Sequence, residues 1–185
     1  MDKIKINIRS PKVSDLEINN IELLCKLINK VYDIAESGMW KNNAQRVNEN
    51  SVEQMLKSNA LLIAEIDNKI VGCVNINLFD DEIAEFGMLV ADPDYRGIGI
   101  GRELVKAAES WAISNNRMIM RLEVLTPKNW EHPSKEFLKK WYTRIGYSIQ
   151  STEPFEKLHP DKINNLATPC DFTIYHKKLN KIPSN

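Results

Sequence analysis

Residues 85–101 read Glu85-Phe86-Gly87-Met88-Leu89-Val90-Ala91-Asp92-Pro93-Asp94-Tyr95-Arg96-Gly97-Ile98-Gly99-Ile100-Gly101. From residue 83 to Ala91 the run is largely apolar, and Asp92-Pro93 ends it, which predicts a strand. After Gly101, Leu104, Val105, Ala108, Trp111 and Ala112 recur among charges at helical spacing. That pattern predicts a helix with one buried face. Between strand and helix, Gly97, Gly99 and Gly101 stand at alternate positions. Glycine opens backbone conformations that other residues avoid and lets amide N–H groups approach a ligand closely. A helix start adds unpaired donors and the positive end of the helix dipole. Together these features describe an anion site, most simply one for phosphate. The plain alternative is that the glycines serve only the geometry of the turn.

The flanking sequence supplies the rest of a mixed fold. Ile4, Ile6 and Ile8 alternate with Lys5, Asn7 and Arg9, a strand pattern stopped by Ser10-Pro11. Asp15 is expected to cap a long amphipathic helix carrying Leu16, Ile21, Leu24, Ile28, Val31 and Ile34, ended by Gly38. A polar stretch over residues 41–50 leads to a short helix opened by Ser51, with Val52, Met55 and Leu56. Residues 61–66 and 70–78 read as strands joined through Asp67-Asn68-Lys69 as a hairpin. Beyond the central helix, 118–125 is a strand, about 134–145 a helix terminated by Gly146, and 147–152 and 172–179 the last strands. An irregular connection with Pro154, Pro160 and Pro169 separates those two. The order β-α-α-β-β-β-α-β-α-β-β predicts a mixed α/β sheet with helices on both faces.

Composition agrees with one folded domain over 1–185. The chain has 185 residues, 43% hydrophobic and 27% charged, long enough to bury a core without disulfides or a structural metal. Lys+Arg and Asp+Glu are equal at 25 each, so no net charge recommends a nucleic acid or an anionic membrane as partner. Cys25, Cys73 and Cys170 are odd in number and far apart, which describes neither a disulfide framework nor a zinc site. With no apolar leader or spanning run, a reducing, cytoplasmic setting is expected.

Two phosphate-binding signatures fail. The dinucleotide pattern G-x-G-x-x-G/A meets Arg102 counting from Gly97 and Leu104 counting from Gly99, and no Gly-Lys-Ser/Thr follows for a P-loop. Arg96, Gly99 and Gly101 do form Arg-x-x-Gly-x-Gly after a strand ending in Asp-Pro. In this the sequence resembles the GNAT superfamily of acetyl-CoA-dependent N-acetyltransferases, whose pyrophosphate loop reads Q/R-x-x-G-x-G/A. The segment Trp141-Tyr142-Thr143-Arg144-Ile145-Gly146-Tyr147 is similar to that family's second motif, 46 residues from Arg96 to Tyr142. The resemblance extends over nearly the whole chain and implies a central, mostly antiparallel twisted sheet of about seven strands.

It also implies a cofactor in the gap where the fourth and fifth strands splay apart, with a bulge on the fourth. Carried over, the backbone of Met88, Leu89 and Val90 pairs with the pantetheine of acetyl-CoA. The amides of Arg96, Gly97, Ile98, Gly99, Ile100 and Gly101 cradle the pyrophosphate. Amine acetylation requires a neutral nucleophile, whereas an alkylamine is protonated at neutral pH, so a proton acceptor is wanted. Glu85, eleven residues before Arg96, matches the position where several family members place a catalytic glutamate, and Glu82 and Glu123 compete with it. Tyr142 matches the family's general acid, which delivers a proton to the leaving thiolate. Seven residues earlier the family often has a cofactor-touching asparagine where this chain has Lys135. Ser134 beside it is either a helix cap, the preferred reading, or a substitute contact.

His132, His159 and His176 show no metal spacing, and no cysteine has a neighbouring histidine, so direct transfer without metal or acetyl-enzyme is expected. The resemblance further implies an acceptor wall from Glu36, Met39, Trp40, Arg46 and residues 152–171, with Glu123 facing either it or solvent. An aromatic next to carboxylates suits a cationic amine. No long acidic groove for a peptide is evident, so a small-molecule amine is preferred and the enzyme is expected as a monomer or homodimer. The competing readings are a non-catalytic acyl-CoA-binding or sensing module, a protein N-acetyltransferase, and a structural domain whose glycine turn binds nothing.

Overall fold

A computed structural model describes residues 4–41 and 44–180. The strands are β1 (Asn7–Arg9), β2 (Leu61–Ile66), β3 (Lys69–Leu78), β4 (Ile83–Ala91), β5 (Ile119–Pro127), β6 (Ser148–Pro154) and β7 (Cys170–Lys178). They form one seven-stranded sheet in the order β1-β2-β3-β4-β5-β7-β6. Only β4 and β5 run parallel; every other neighbouring pair is antiparallel. The helices are α1 (Ile18–Ala35), α2 (Glu49–Lys57), α3 (Ile100–Ser114), α4 (Pro133–Arg144) and the single turn α5 (Phe155–Leu158).

Both faces of the sheet are covered, and β2 shows why. Leu62, Ala64 and Ile66 join one core with the buried faces of α3 and α4, while Leu61 and Ile63 join a second core under α1 and α2. Alternate side chains of a strand point to opposite faces, so all six β2 residues are buried and the strand reads as an apolar run broken only by Glu65, which Arg9 holds. A third core of Met39, Leu125, Phe155, Leu166 and Cys170 closes one end. The β2–β3 turn uses positive φ at Asp67 and Asn68, the geometry of a two-residue hairpin. Among the described residues no helix is long and apolar enough to cross a membrane.

Several local expectations shift. Asp15 does not cap α1: it lies buried in a 3-10 turn at Val13–Leu16, accepts from the Lys12 amide at 2.6 Å, and binds both terminal nitrogens of Arg9 at 2.6 and 2.9 Å. Burial opposes ionisation of Asp15, yet the Arg9 hydrogen bonds prevail and hold its carboxyl below the usual carboxylate range. Arg9 also reaches Glu65 at 2.5 Å, so this cluster staples β1 and the turn to β2. α1 therefore begins later, at Ile18. α2 is capped by Asn48, whose side chain accepts from the Ser51 amide while the Ser51 hydroxyl accepts from the Asn48 amide, a reciprocal capping box. The first strand starts at Asn7 rather than Ile4, and the late connection contains α5 and a 3-10 segment, Pro160–Asn165. Residues 42 and 43 of the polar stretch lie outside the described residues.

Candidate active site

The parallel pair at the centre of the sheet opens almost at once. β4 and β5 pair only through Ile83–Ile119, Ala84–Met120 and Glu85–Arg121, after which β5 stays with β7 as far as Cys170. The β5-facing edge of β4 beyond Glu85 is therefore without a strand partner. β4 also carries a bulge: Cys73 opposes Val90 and Asn75 opposes Gly87, leaving Met88 and Leu89 against one residue of β3. Met88 takes φ of +49° there, a conformation that a non-glycine side chain seldom holds. The bulge turns the backbone at Met88, Leu89 and Val90 while Val90 remains wholly buried beneath α1.

The glycine turn lies at the end of β4. Gly97 and Gly99 hold φ of +87° and +95°, and a Cβ built on either would meet no protein atom within 4 Å. The space above both is open, so no neighbouring protein atom requires glycine there. Side chains anchor the loop from below: Ile100 is buried and Ile98 packs against the main core. Among the described residues the amides of Gly97, Ile98, Gly99, Ile100, Gly101 and Arg102 donate to no protein acceptor. The Arg96 amide, expected in this set, instead donates to the Pro93 carbonyl at 3.3 Å, so the run of free donors begins one residue later and ends one later. Asp92 and Asp94 would repel an anion, and Lys30 of α1 holds both, at 3.2 and 3.1 Å. Consecutive open donors on a helix start suit a pyrophosphate.

A cavity of about 410 Å³ occupies the gap, walled by Tyr32, Glu36, Trp40, Gly87, Met88, Leu89, Glu123 and Tyr142, with Glu85 and Lys135 also on it. Tyr142, on α4, is buried among Phe86, Trp141, Tyr147 and Tyr175. Burial, then Tyr32 and Tyr175, push its phenol upward, so it keeps its proton at neutral pH. Glu85 stands opposite Arg121 in the β4–β5 register and is ion-paired with it. Arg121 also reaches Glu123 at 2.5 Å and stacks over Phe79 at 4.5 Å. The two carboxylate candidates thus share one guanidinium. Glu82 is on the exposed β3–β4 turn and is not part of the cavity wall. Arg121 was not foreseen, although period-two spacing puts residues 121 and 123 on one face of β5.

The wall expected to face the acceptor is crossed by a second buried pair. Lys135 Nζ lies 2.9 Å from Glu36 Oε1, and Trp40 Nε1 donates to Glu36 Oε2 at 2.6 Å. Burial opposes ionisation of Glu36, but Lys135 and Arg46 overcome it and lower its pKa. Both oxygens of the expected cation-attracting carboxylate are therefore engaged within the protein. Trp40 packs edge-on to Phe155 and pairs with Leu166, and Phe155, His159 and Lys162 bring residues 152–171 onto the wall as expected. Met39 is core and does not face the cavity. Ser134 is not the α4 cap: its amide donates to His132 Nδ1 at 3.2 Å, and Pro133 takes the first helical position. Burial and Lys135 keep the His132 pKa down, which leaves Nδ1 free to accept. Tyr32, also missed, has its phenol pushed up to about 12 by burial. Burial raises the thiols of Cys73 and Cys170 to about 12 and about 11, so neither is a ready nucleophile.

Comparison with known proteins gives this geometry relatives. Residues 26–143 match the sequence model of the acetyltransferase (GNAT) family. The streptothricin acetyltransferase of Escherichia coli is 32% identical over 105 residues, which are 56% of this chain and 56% of that protein. The chain thus matches about half the length of that relative. A PaiA N-acetyltransferase from Thermoplasma acidophilum, solved with coenzyme A, superposes with a TM-score of 0.67 over 95% of this chain and 99% of that one at 18% identity. A ribosomal-protein-alanine N-acetyltransferase from Brucella melitensis superposes at 0.66, covering 94% and 99%, also at 18% identity. At such identities the likeness is one of fold.

Proposed function

The chain belongs to the acetyltransferase (GNAT) family, and from that premise we propose that it is an acetyl-CoA-dependent N-acetyltransferase acting on a small-molecule primary amine by direct transfer. The observation that carries the reading is a cavity shared by the bulged, unpaired edge of β4 and the buried Tyr142, with six amides at the end of that strand that are free among the described residues. The amides of residues 97–102 would hold the pyrophosphate, and the backbone of Met88, Leu89 and Val90 the pantetheine. Acetyl-CoA, when bound, supplies a thioester whose C–S bond breaks as the amine's N–C bond forms.

The chain's own groups then have proton work. Tyr142, kept neutral by burial, is the donor for the departing thiolate. Glu85 receives the proton that the amine must lose. Glu85 lies on the cavity wall and would take that proton directly or through a water. Glu123, on the same guanidinium, competes for that role. Ser134, freed from capping, is available as a cofactor contact. The streptothricin relative acts, by its name, on a small molecule, which supports the acceptor class. Thermal shift with acetyl-CoA tests the cofactor: at 100 times its dissociation constant a ligand adds about 2.7 kcal/mol of stability. Released thiol, followed over an amine library, tests the transfer. A clear thermal shift with no thiol release from any amine would instead identify a non-catalytic acyl-CoA-binding module.

A further inference from the structure

We propose that the acceptor carries an anionic group, in the simplest case a carboxylate, and that Arg46 at the cavity mouth binds it. This rests on the acetyl-transfer reading above and names the charge class of its acceptor. Every carboxylate on the wall of the 410 Å³ cavity already holds a cation: Glu36 holds Lys135, while Glu85 and Glu123 share Arg121. Arg46 and Lys162 line the same cavity, and among the described residues neither lies within ion-pair distance of a carboxylate. The uncommitted charge facing the acceptor is therefore positive.

Local sequence and geometry agree. No Asp or Glu occurs from residue 37 to 48, the stretch that carries Arg46. The guanidinium stands 4.8 Å over the Tyr32 ring, a position that orients the group at the cavity wall while it engages no carboxylate among the described residues. A neighbouring cavity of about 370 Å³ shares Tyr32, Glu36, Trp40, Arg46 and Lys162, so both cations stand where the two spaces meet. Its remaining carboxylate, Asp33, lies off the wall of the larger cavity. Within the larger cavity a diamine would set its distal charge beside these cations, where no carboxylate is uncommitted. A carboxylate there gains a bidentate guanidinium. The same positive field disfavours the ammonium form of a nearby amine, the direction that attack on a thioester requires.

The test uses the full chain with saturating acetyl-CoA and a panel of L-amino acids, each paired with its carboxamide, together with putrescine as the diamine. The free acids are expected to exceed their carboxamides in kcat/KM by about 10-fold or more, the worth of a charged hydrogen bond. R46Q should bring that ratio close to one, and R46K should retain part of it, since a lysine supplies the charge without the fork. The acetyl-CoA-induced rise in Tm, measured before any acceptor is added, checks that each variant is folded and binds cofactor. Preference for putrescine or the carboxamides, an acid-to-amide ratio unchanged in R46Q, or no acetylation of any acid by a protein that binds acetyl-CoA would each overturn the proposal. Absence of acetyl-CoA binding in the unsubstituted protein would overturn the underlying reading instead.

Discussion

Replacing Gly99 and Gly101 separately by alanine distinguishes a cofactor cradle from a mere turn. Gly99 precedes α3 at φ +95° and ψ 16°, and a Cβ there meets nothing within 4 Å. The cost of Gly99→Ala is therefore backbone strain alone, about 1–2 kcal/mol, which for a chain of this size lowers Tm by about 2–8 °C. Gly101 lies inside α3, and its added Cβ would rest 3.8 Å from Trp141 and 4.0 Å from Leu89, ordinary contact distances. Alanine there gains about 0.5–1 kcal/mol of helix stability, a rise of about 1–4 °C. Cofactor affinity should follow a different rule. The methyl at Gly99 projects into the open space over the free amides, and losing one hydrogen bond to a charged group costs about 1.5–3 kcal/mol, roughly 10- to 150-fold in Kd. Gly101→Ala, whose methyl points at Trp141 and Leu89, should retain binding. Scanning fluorimetry and calorimetric titration with coenzyme A read the two effects. A Gly99→Ala protein with the expected fall in Tm but undiminished coenzyme A affinity would show that these glycines serve turn geometry only.

Tyr142→Phe should lower kcat by about 10²-fold or more with coenzyme A affinity preserved, because only a proton donor is removed; a normally active variant would reduce Tyr142 to packing. Glu85→Gln should depress the rate most at neutral pH and recover toward high pH, where the amine loses its proton unaided. Glu123→Gln measured alongside decides which partner of Arg121 matters, and a pH-independent loss in Glu85→Gln would reassign that carboxylate to positioning. Lys135→Met should strand Glu36 in a buried site, a loss of about 3–5 kcal/mol seen as a fall in Tm of about 6–20 °C. The double variant Glu36→Gln/Lys135→Met should recover much of it, and if the single change leaves Tm unmoved the pair is not structural.

Much of the architecture could be read from local pattern because burial imposes it locally. The spacing of Leu24 and Ile28 marks the buried face of α1, and the all-buried β2 reads as an apolar run broken only by Glu65. Asp15 shows where local reading ends. A lone Asp before an amphipathic run has the form of a cap, but Arg9 and Glu65, the latter 56 residues from Arg9, draw it into a buried ion cluster. At α2 and α4 the helix was foreseen and the cap was not. Ser51 reciprocates Asn48 from inside α2, and His132 takes the cap position at α4 that Ser134 suggested.

The site divides along the same line. The half proposed for the cofactor is backbone: glycines, a helix start and a strand edge, all within residues 85–102, so a short motif was enough to point to it. Even there the Met88 bulge had no mark in the sequence, since nothing about methionine announces a positive φ. The half proposed for the acceptor is made of charges that meet only in the fold. Glu36 reads as an attractant for cations until Lys135, 99 residues away, is found on it. Lys135 in turn departs from the family's usual residue, and its partner explains the departure, because a buried ammonium is tolerable only beside a counter-charge. Glu85 and Glu123 are likewise answered by Arg121 on the neighbouring and the same strand. Composition counts these charges as balanced; among the described residues the fold leaves Arg46 and Lys162 on the cavity wall without an ion pair, and the comparison of acids with their carboxamides tests whether that sets the acceptor.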